Sequence, residues 1–212
     1  MKRNILFNKS AGLFFSLIFF TLSLGGCAIC GKPSYDIKYY LLNYTAPAFE
    51  NLTSLDSTLS FNRFTIAAAY NTQNMIFRAD DHSIDFLSYN RWAVNPADMV
   101  ADTLLRDMQA SGIFSAVFSR LSMEEANFVL QGGIEEFYLR VEENRKVAVI
   151  SLGITLKDSR KREVNRRILF QKKYHYEEQL TQYTPRGYSE AMSKALQAIS
   201  SQIIYDVYRA AR

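Results

Sequence analysis

The hydrophobic positions fall into short alternating runs broken by two stretches of helical spacing. Ile37 to Tyr44, rich in Tyr and Leu, reads as a first strand, and Pro47 to Ser57 as a polar loop. Leu59 to Tyr70 follows with Phe64, Ile66, Ala68 and Tyr70 on one alternating face. Met75 to Arg78 and Ile84 to Tyr89 read as two short strands joined by Ala79-Asp80-Asp81-His82, a turn in composition. Asn95-Pro96 predicts a helix start, with Asn95 as cap, Pro96 in the first turn and Asp98 near the positive end of the dipole. Met99, Leu104, Leu105 and Met108 continue it at helical spacing until Ser111-Gly112, where Gly112 suits a left-handed C-terminal position.

Ile113 to Phe118 reads as a short strand, and Ser122-Met123-Glu124-Glu125 as a capping box opening one helical turn. Beyond it, Phe128, Leu130 and Ile134 share one parity, while Phe137, Leu139 and Val141 share the other. One strand with a single buried face therefore requires a bulge near Glu135-Glu136. Ala148, Ile150, Leu152, Ile154 and Leu156 make a clean inward face. After a turn at Asp158 to Glu163, Ile168, Phe170, Tyr174 and Tyr176 repeat it. Three long strands with short turns predict an antiparallel meander. Ser189 is the expected cap of a final helix with the stripe Met192, Ala195, Leu196, Ile199, Ile203, Val207 and Ala210. Its opposite face carries Lys194, Gln197, Ser201 and Arg209. The fold class is α+β: a mainly antiparallel sheet covered on one face by two amphipathic helices, in two layers.

The first 35 residues follow a different pattern. Lys2, Arg3 and Lys9 precede an apolar stretch from Ala11 to Leu24, which ends at Leu24-Gly25-Gly26-Cys27. This is signal-peptide anatomy, and the apolar part is shorter than the roughly 20 residues a spanning helix prefers. The end of the stretch resembles the bacterial lipobox, which implies cleavage before Cys27 and acylation of that residue. The expected organisation is a signal peptide over residues 1–26, a tether over 27–35 containing Gly31 and Pro33, and one domain over 36–212. An uncleaved anchor helix is the alternative. Cys30 forms a Cys-x-x-Cys pair with Cys27, but a lipidated Cys27 has no free thiol for redox chemistry. Ala28, rather than Asp, after the acylated residue points to the outer membrane facing the periplasm.

Composition changes the picture only through this leader. The 212 residues are 48% hydrophobic and 22% charged, enough for a substantial core, with 25 basic and 21 acidic residues and a formal charge of +4. Residues 1–26 hold three of the basic residues and no acid, so the remainder is close to neutral. Nucleic acid is not an expected partner.

Candidate chemistry is sparse. There are two histidines, His82 and His175, and neither lies near a nucleophile motif. Phosphate-loop, dinucleotide and His-Glu-x-x-His patterns are absent from the sequence, and no catalytic residue, metal site or cofactor is expected. Asp80, Asp81, His82 and Asp85 read as a hairpin turn rather than metal ligands. Arg160-Lys161-Arg162, with Arg166, Arg167, Lys172 and Lys173 beyond, reads as a solvated hairpin or as a patch for anionic headgroups or an acidic partner. In Tyr89-Asn90-Arg91-Trp92, the single Trp is expected to pack at the strand-to-helix corner, with Arg91 beside it.

In order along the chain, Cys27, Tyr39-Tyr40-Leu41-Leu42, Ile76-Phe77-Arg78, Arg91-Trp92-Ala93, Phe114 and Phe128-Val129-Leu130 with Ile134 and Phe137 carry a resemblance. With the long strands and terminal helix, the chain resembles the ABC-type transport auxiliary lipoproteins. It departs from that pattern at Ala93-Val94-Asn95-Pro96 and at Asn127, where Asp is expected. The resemblance implies a non-catalytic, lipid-anchored accessory subunit of an intermembrane lipid transport system, working with MCE-domain proteins and ABC transporter components. Arg91, Arg160, Lys161 and Arg162 are the candidate partner contacts, and a homo-oligomer is left open. A periplasmic lipid carrier is the alternative function, and a hydrolase with an unrecognised site is a third class.

Overall fold

In the computed structural model, which describes residues 35–50 and 52–212, the organising element is one long strand, β7 (Phe128–Val141). Its register against β8 (Lys146–Asp158) runs from Phe128 opposite Asp158 to Val141 opposite Lys146, and it shifts between Ile134 and Glu136. This is the bulge demanded by the change of parity, and it keeps Ile134 and Phe137 both buried. β9 (Ile168–Gln179) pairs antiparallel with β8, so the expected three-strand meander is present. Leu130 faces Leu156 and Leu156 faces Phe170, while Ile134 faces Leu152 and Leu152 faces Tyr174.

The other edge of β7 differs from the expectation. β2 (Leu55–Phe61), β3 (Thr65–Ile66) and β4 (Asn74–Arg78) lie along it one after another, all parallel to it, at Phe128–Leu130, Gly133–Ile134 and Leu139–Arg140. β6 (Phe114–Phe118) adds parallel to β2. β5 (Asp85–Trp92) adds antiparallel to β4, and β1 (Lys38–Tyr40) adds parallel to β5. The nine-stranded sheet is therefore a curled, mixed one and not mainly antiparallel. Alternation marks which residues face the core, and it is the same for either strand direction, so the pattern had no means of reporting this. The expected single run from Leu59 to Tyr70 is also divided, into β2, β3 and a 3-10 turn at Ala68–Tyr70.

Helix α1 (Pro96–Ser111) starts as expected: the Asn95 side chain accepts from the Ala97 N–H at 2.9 Å, and Gly112 ends it at φ 65°. α1 carries the chain from β5 on one flank of the sheet to β6 on the other, two strands that run in opposite directions. No helical turn forms at Ser122, whose hydroxyl accepts from the Glu124 N–H instead. A four-residue helix α2 (Val164–Arg167) lies in the β8–β9 connection. The terminal helix α3 (Pro185–Ala211) begins earlier than Ser189. Thr184 caps it through Gly187 N–H, with Pro185 in the first turn, and the Ser189 hydroxyl donates to Leu41 O at 2.6 Å. α3 packs on β8 and β9, and its stripe from Met192 to Val207 is buried.

Between β1 and β2 the chain forms a strap across the helices. Asn43 N–H donates to the Ser193 hydroxyl at 3.0 Å, the Gln197 amide donates to Thr45 O at 2.9 Å, and Thr53 pairs with the Tyr208 hydroxyl at 3.0 Å. Tyr44 donates to the buried Asp107 of α1 at 2.7 Å, and Ser200 of α3 donates to the same carboxylate oxygen at 2.7 Å. Ile37–Arg212 make up one unit around this core. Met1–Asp36 are a separate unit, of which only Tyr35 and Asp36 are described. The leader, Cys27, Cys30 and all of the tether except Tyr35 thus lie outside the described residues. No helix among the described residues is long and apolar enough to cross a membrane.

Candidate functional site

The long strands give the domain two ends. At one, β7 begins and β8 finishes, and the β6–β7 and β8–β9 connections leave the sheet side by side: Ser159 N–H donates to Asn127 O at 2.8 Å. Asn127 accepts from Thr58 N–H at 2.9 Å, fastening β2 to the same corner. The segment from Lys157 to Ile168 holds six basic residues against Asp158 and Glu163, which makes this the basic end, while the β6–β7 connection adds Glu124 and Glu125 against Arg120.

The three basic candidates here have unequal freedom. Arg160 grips the buried Asp158 with both arms of its guanidinium, at 2.8 and 3.0 Å, and lies over the Phe128 ring at 4.9 Å. That pairing holds the Asp158 carboxyl below the usual carboxylate range. Arg160 is thus chiefly a structural cation. Lys161 stands 3.7 Å from the same carboxylate, at ion-pair range. Arg162 is exposed, and its carbonyl, with that of Lys161, accepts from the Arg167 guanidinium at 2.8 and 3.0 Å. Arg167 thereby holds the loop in one shape. Farther along, Lys172 is paired with Asp206 at 2.6 Å and Lys173 with Glu135 at 2.6 Å.

The two connections also expose apolar residues that the pattern did not single out. Leu121 and Met123 in the β6–β7 connection are 83% and 100% exposed, and Val164 in α2 is 64% exposed. Ile168, at the start of β9, is also exposed. The signal available in the sequence was that Leu121 and Met123 interrupt an otherwise polar loop without joining either alternating face.

Arg91 is exposed on β5, in register with Tyr39 and Asn74, on the far side of β7 from β8 and β9. The structure does not bring it together with Arg160–Arg162. Its neighbour Trp92 is buried, edge-on to Phe137 at 5.4 Å and to Tyr188 at 5.3 Å, and serves the core as expected. Asp80 accepts from the His82 and Ser83 N–H groups at 2.8 and 2.9 Å, which makes it the organiser of the β4–β5 turn.

On the face of the meander away from α3, one row of side chains invites the hydrolase reading. Glu136, Ser151 and His175 are cross-strand neighbours. Yet both imidazole nitrogens of His175 face carboxylates, Glu136 at 3.4 Å and Glu177 at 3.3 Å, and the Ser151 hydroxyl is buried with no hydrogen-bond partner. A serine nucleophile must reach both its base and its substrate, and Ser151 reaches neither. Beside this row, Thr65, Ile66, Gln131, Ile134, Thr155 and Gln171 help to line an open groove of ≈ 560 Å³ with mixed polar and apolar walls.

The same face carries an acid-sensitive link. Arg140 of β7 donates to Glu177 of β9 at 2.8 Å and to Glu142 at 2.9 Å, and this holds the Glu177 carboxyl down at about 2. A carboxyl lowered on folding stabilises the fold above its unfolded pKa, and the contribution is lost as pH falls towards the folded value. Urea midpoints of the wild type are therefore expected to fall between about pH 5 and pH 2, and Glu177→Gln is expected to flatten part of that fall. An unchanged slope in the variant would show that the link is inert.

A family model for the ABC-type transport auxiliary lipoprotein component matches residues 40–204. The chain belongs to this family. Auxiliary lipoproteins of this kind are components of ABC-type transport systems, and the match begins at β1 and ends within α3, so it includes the strap and the basic end. Among solved structures, the protein XCC0632 from Xanthomonas campestris is 14% identical, with a TM-score of 0.74 over 82% of this chain and 96% of that one. The hypothetical protein CT253 from Chlamydia trachomatis is 11% identical, with a TM-score of 0.50 over 73% of this chain and 96% of that one. At these identities the likeness is one of fold. No curated protein matches the chain.

Proposed function

We propose that this auxiliary lipoprotein is a non-catalytic accessory subunit of an MCE/ABC-type intermembrane lipid transport system, held by acylated Cys27 at the periplasmic face of the outer membrane. The observation that carries the reading is the family match across nearly all of the folded unit. The folded unit is consistent with a binding module rather than a container. Trp92, Phe137 and Tyr188 interlock between sheet and helices, and the space a carrier would give to an acyl chain is occupied here by side chains. The groove on the opposite face is open to solvent, unlike a site that encloses a lipid tail.

The accessory and carrier functions differ in what accompanies the purified protein. Native mass spectrometry is expected to find no stoichiometric phospholipid, and affinity capture from envelope extract is expected to recover an MCE-domain protein. One bound lipid per chain with no MCE-domain protein recovered would favour the carrier. The anchor is tested separately. Cys27→Ser is expected to leave an uncleaved precursor without metabolic lipid label, and a labelled, mature-sized product from that variant would rule out Cys27 as the acylated residue.

A further inference from the structure

β9 forms one margin of the sheet. Among the described residues it pairs with β8 alone, over a regular register from Val147 opposite Gln179 to Leu156 opposite Phe170. At 12 residues it is much longer than β1 with 3 and β6 with 5, the strands at the other ends of the pairing order. A free edge of that length offers a row of backbone donors and acceptors to another strand, unless proline, a bulge or repelling charge blunts it. Ile168–Gln179 contains no proline, and its one register shift falls at the end next to Ile168. Its charges are of both signs, and they are ordered. Lys172-Lys173-Tyr174-His175-Tyr176-Glu177-Glu178 reads the same in both directions about His175, with the sign of the charge exchanged.

Backbone direction at this edge restricts what can pair with it. Leu180 N–H donates to Lys146 O at 2.9 Å, continuing the ladder beyond Gln179, so the even-numbered residues of β9 turn their N–H and C=O groups to β8. Odd-numbered residues turn theirs to the free edge, and Gln171, Lys173, His175, Glu177 and Gln179 are all exposed. An antiparallel second copy of β9 must therefore set odd-numbered residues opposite odd-numbered ones. That places the two-fold axis level with a residue, such as Tyr174, His175 or Tyr176, and excludes axes between residues. With the axis at His175, Lys172 lies opposite Glu178 of the second copy and Lys173 opposite its Glu177, and each contact occurs twice by symmetry. With the axis moved one residue either way, neither lysine meets a glutamate.

These four charges are already paired within their own chain, and those pairs need not break. Lys172 holds Asp206 at 2.6 Å and Glu178 lies 3.9 Å from Lys194, while Lys173 holds Glu135 at 2.6 Å and Glu177 accepts from Arg140 at 2.8 Å. Laid edge to edge, the first two pairs join as Asp206, Lys172, Glu178, Lys194 on the α3 side of the sheet. The other two join as Glu135, Lys173, Glu177, Arg140 on the opposite face. Both rows alternate acid and base from one copy into the next. Opposite charges directly across a strand pair stabilise a sheet, and like charges there destabilise it.

We infer that β9 is the edge through which two copies of this chain associate, antiparallel about a two-fold axis at His175, so that their sheets become one. The contact is isologous and closed, and it consumes the free edge of both copies. It stands apart from the function proposed above.

The test is disulfide trapping in intact cells, using the full-length chain with Cys30→Ser and one new cysteine on β9. His175→Cys is expected to give a disulfide-linked dimer, because hydrogen-bonded residues directly opposite each other have Cα atoms about 5.5 Å apart, within disulfide range. Gln171→Cys is expected to give none, since residue 171 of the second copy lies opposite Gln179, roughly 27 Å away along the strand. Lys172→Glu and Glu178→Lys, each added to His175→Cys, are expected to lower the yield severalfold, because each sets like charges opposite one another twice. Co-expressing these two variants with different tags is expected to restore a mixed dimer to near the parent yield, which a loss of fold in either chain would not allow. No dimer from His175→Cys, equal dimers from His175→Cys and Gln171→Cys, or a disulfide from position 175 to a different protein would overturn the inference. A mixed pair that stays as low as its single variants would overturn the register about His175, and the inference with it.

Discussion

Ile203→Asp is expected to destabilise the domain by about 4 kcal/mol, because it places a carboxylate with no partner in the seam between α3 and the sheet. Ile203 is fully buried and Ile199 nearly so, and α3 packs against both β8 and β9. No cation of the stripe is there to receive the new charge: Met192, Ala195, Leu196 and Val207 surround that face of the helix. Ile199→Asp is expected to behave alike. Lys194, more than half exposed and 3.9 Å from Glu178, provides the contrast. Lys194→Asp removes a surface pair and brings two acids together, at a cost of about 1 kcal/mol or less. Urea denaturation of the three variants checks the difference, and equal losses at all three positions would mean that α3 is not docked along this stripe.

That helix was legible from its periodicity alone, and so was the bulge in β7, because each follows from which residues must face the core. The parity change between Ile134 and Phe137 admits one remedy in a strand with a single buried face, and the register shift sits there. Sheet topology was a different matter. β2, β3 and β4 each alternate as they would in a meander, and the property that separates them from one is their common direction along β7. Nothing in a local run of side chains encodes direction. It is set by connections such as α1, which returns the chain across the sheet.

The candidate site was legible in part for a related reason. The basic run was visible as charge, but its internal pairing was not. Arg160 is committed to Asp158, and Arg167 to two backbone carbonyls, leaving Lys161 and Arg162 as the cations better placed for a partner. Met123 fell inside an expected helical turn that does not form, and Leu121 just before it. Arg91 drew attention through its place beside the only Trp, yet the side chain that matters structurally is Trp92 itself.

The strap was missed because its fastenings are long-range and polar. Ser189, Ser193 and Ser200 lie among the buried residues of α3, where a hydrophobic pattern counts them as neutral, and each donates to a distant acceptor or takes a distant donor. Asp107 is the centre of this network. Its carboxylate is wholly buried and takes hydrogen bonds from Tyr44 and Ser200 at 2.7 Å, and from the Arg106 guanidinium at 2.6 and 2.9 Å. Burial, and then the adjacent carboxylate, push the Tyr44 phenol far above its ordinary pKa, so it remains a donor across the physiological pH range.

Asp107→Ala strips the acceptor from Tyr44 and Ser200 together and leaves a void between α1, α3 and the strap, at a cost of about 3 kcal/mol. Tyr44→Phe removes one donor while the carboxylate keeps Ser200 and Arg106, and its cost is about 1 kcal/mol. The two variants should also differ locally. The Asn43 amide, bonded to Ser193 beside the network, is expected to exchange its hydrogen one to two orders of magnitude faster in Asp107→Ala and only severalfold faster in Tyr44→Phe. Equal exchange in the two variants, with equal urea midpoints, would show that the strap is held by its backbone contacts to α3 and that the buried carboxylate contributes nothing to keeping it in place.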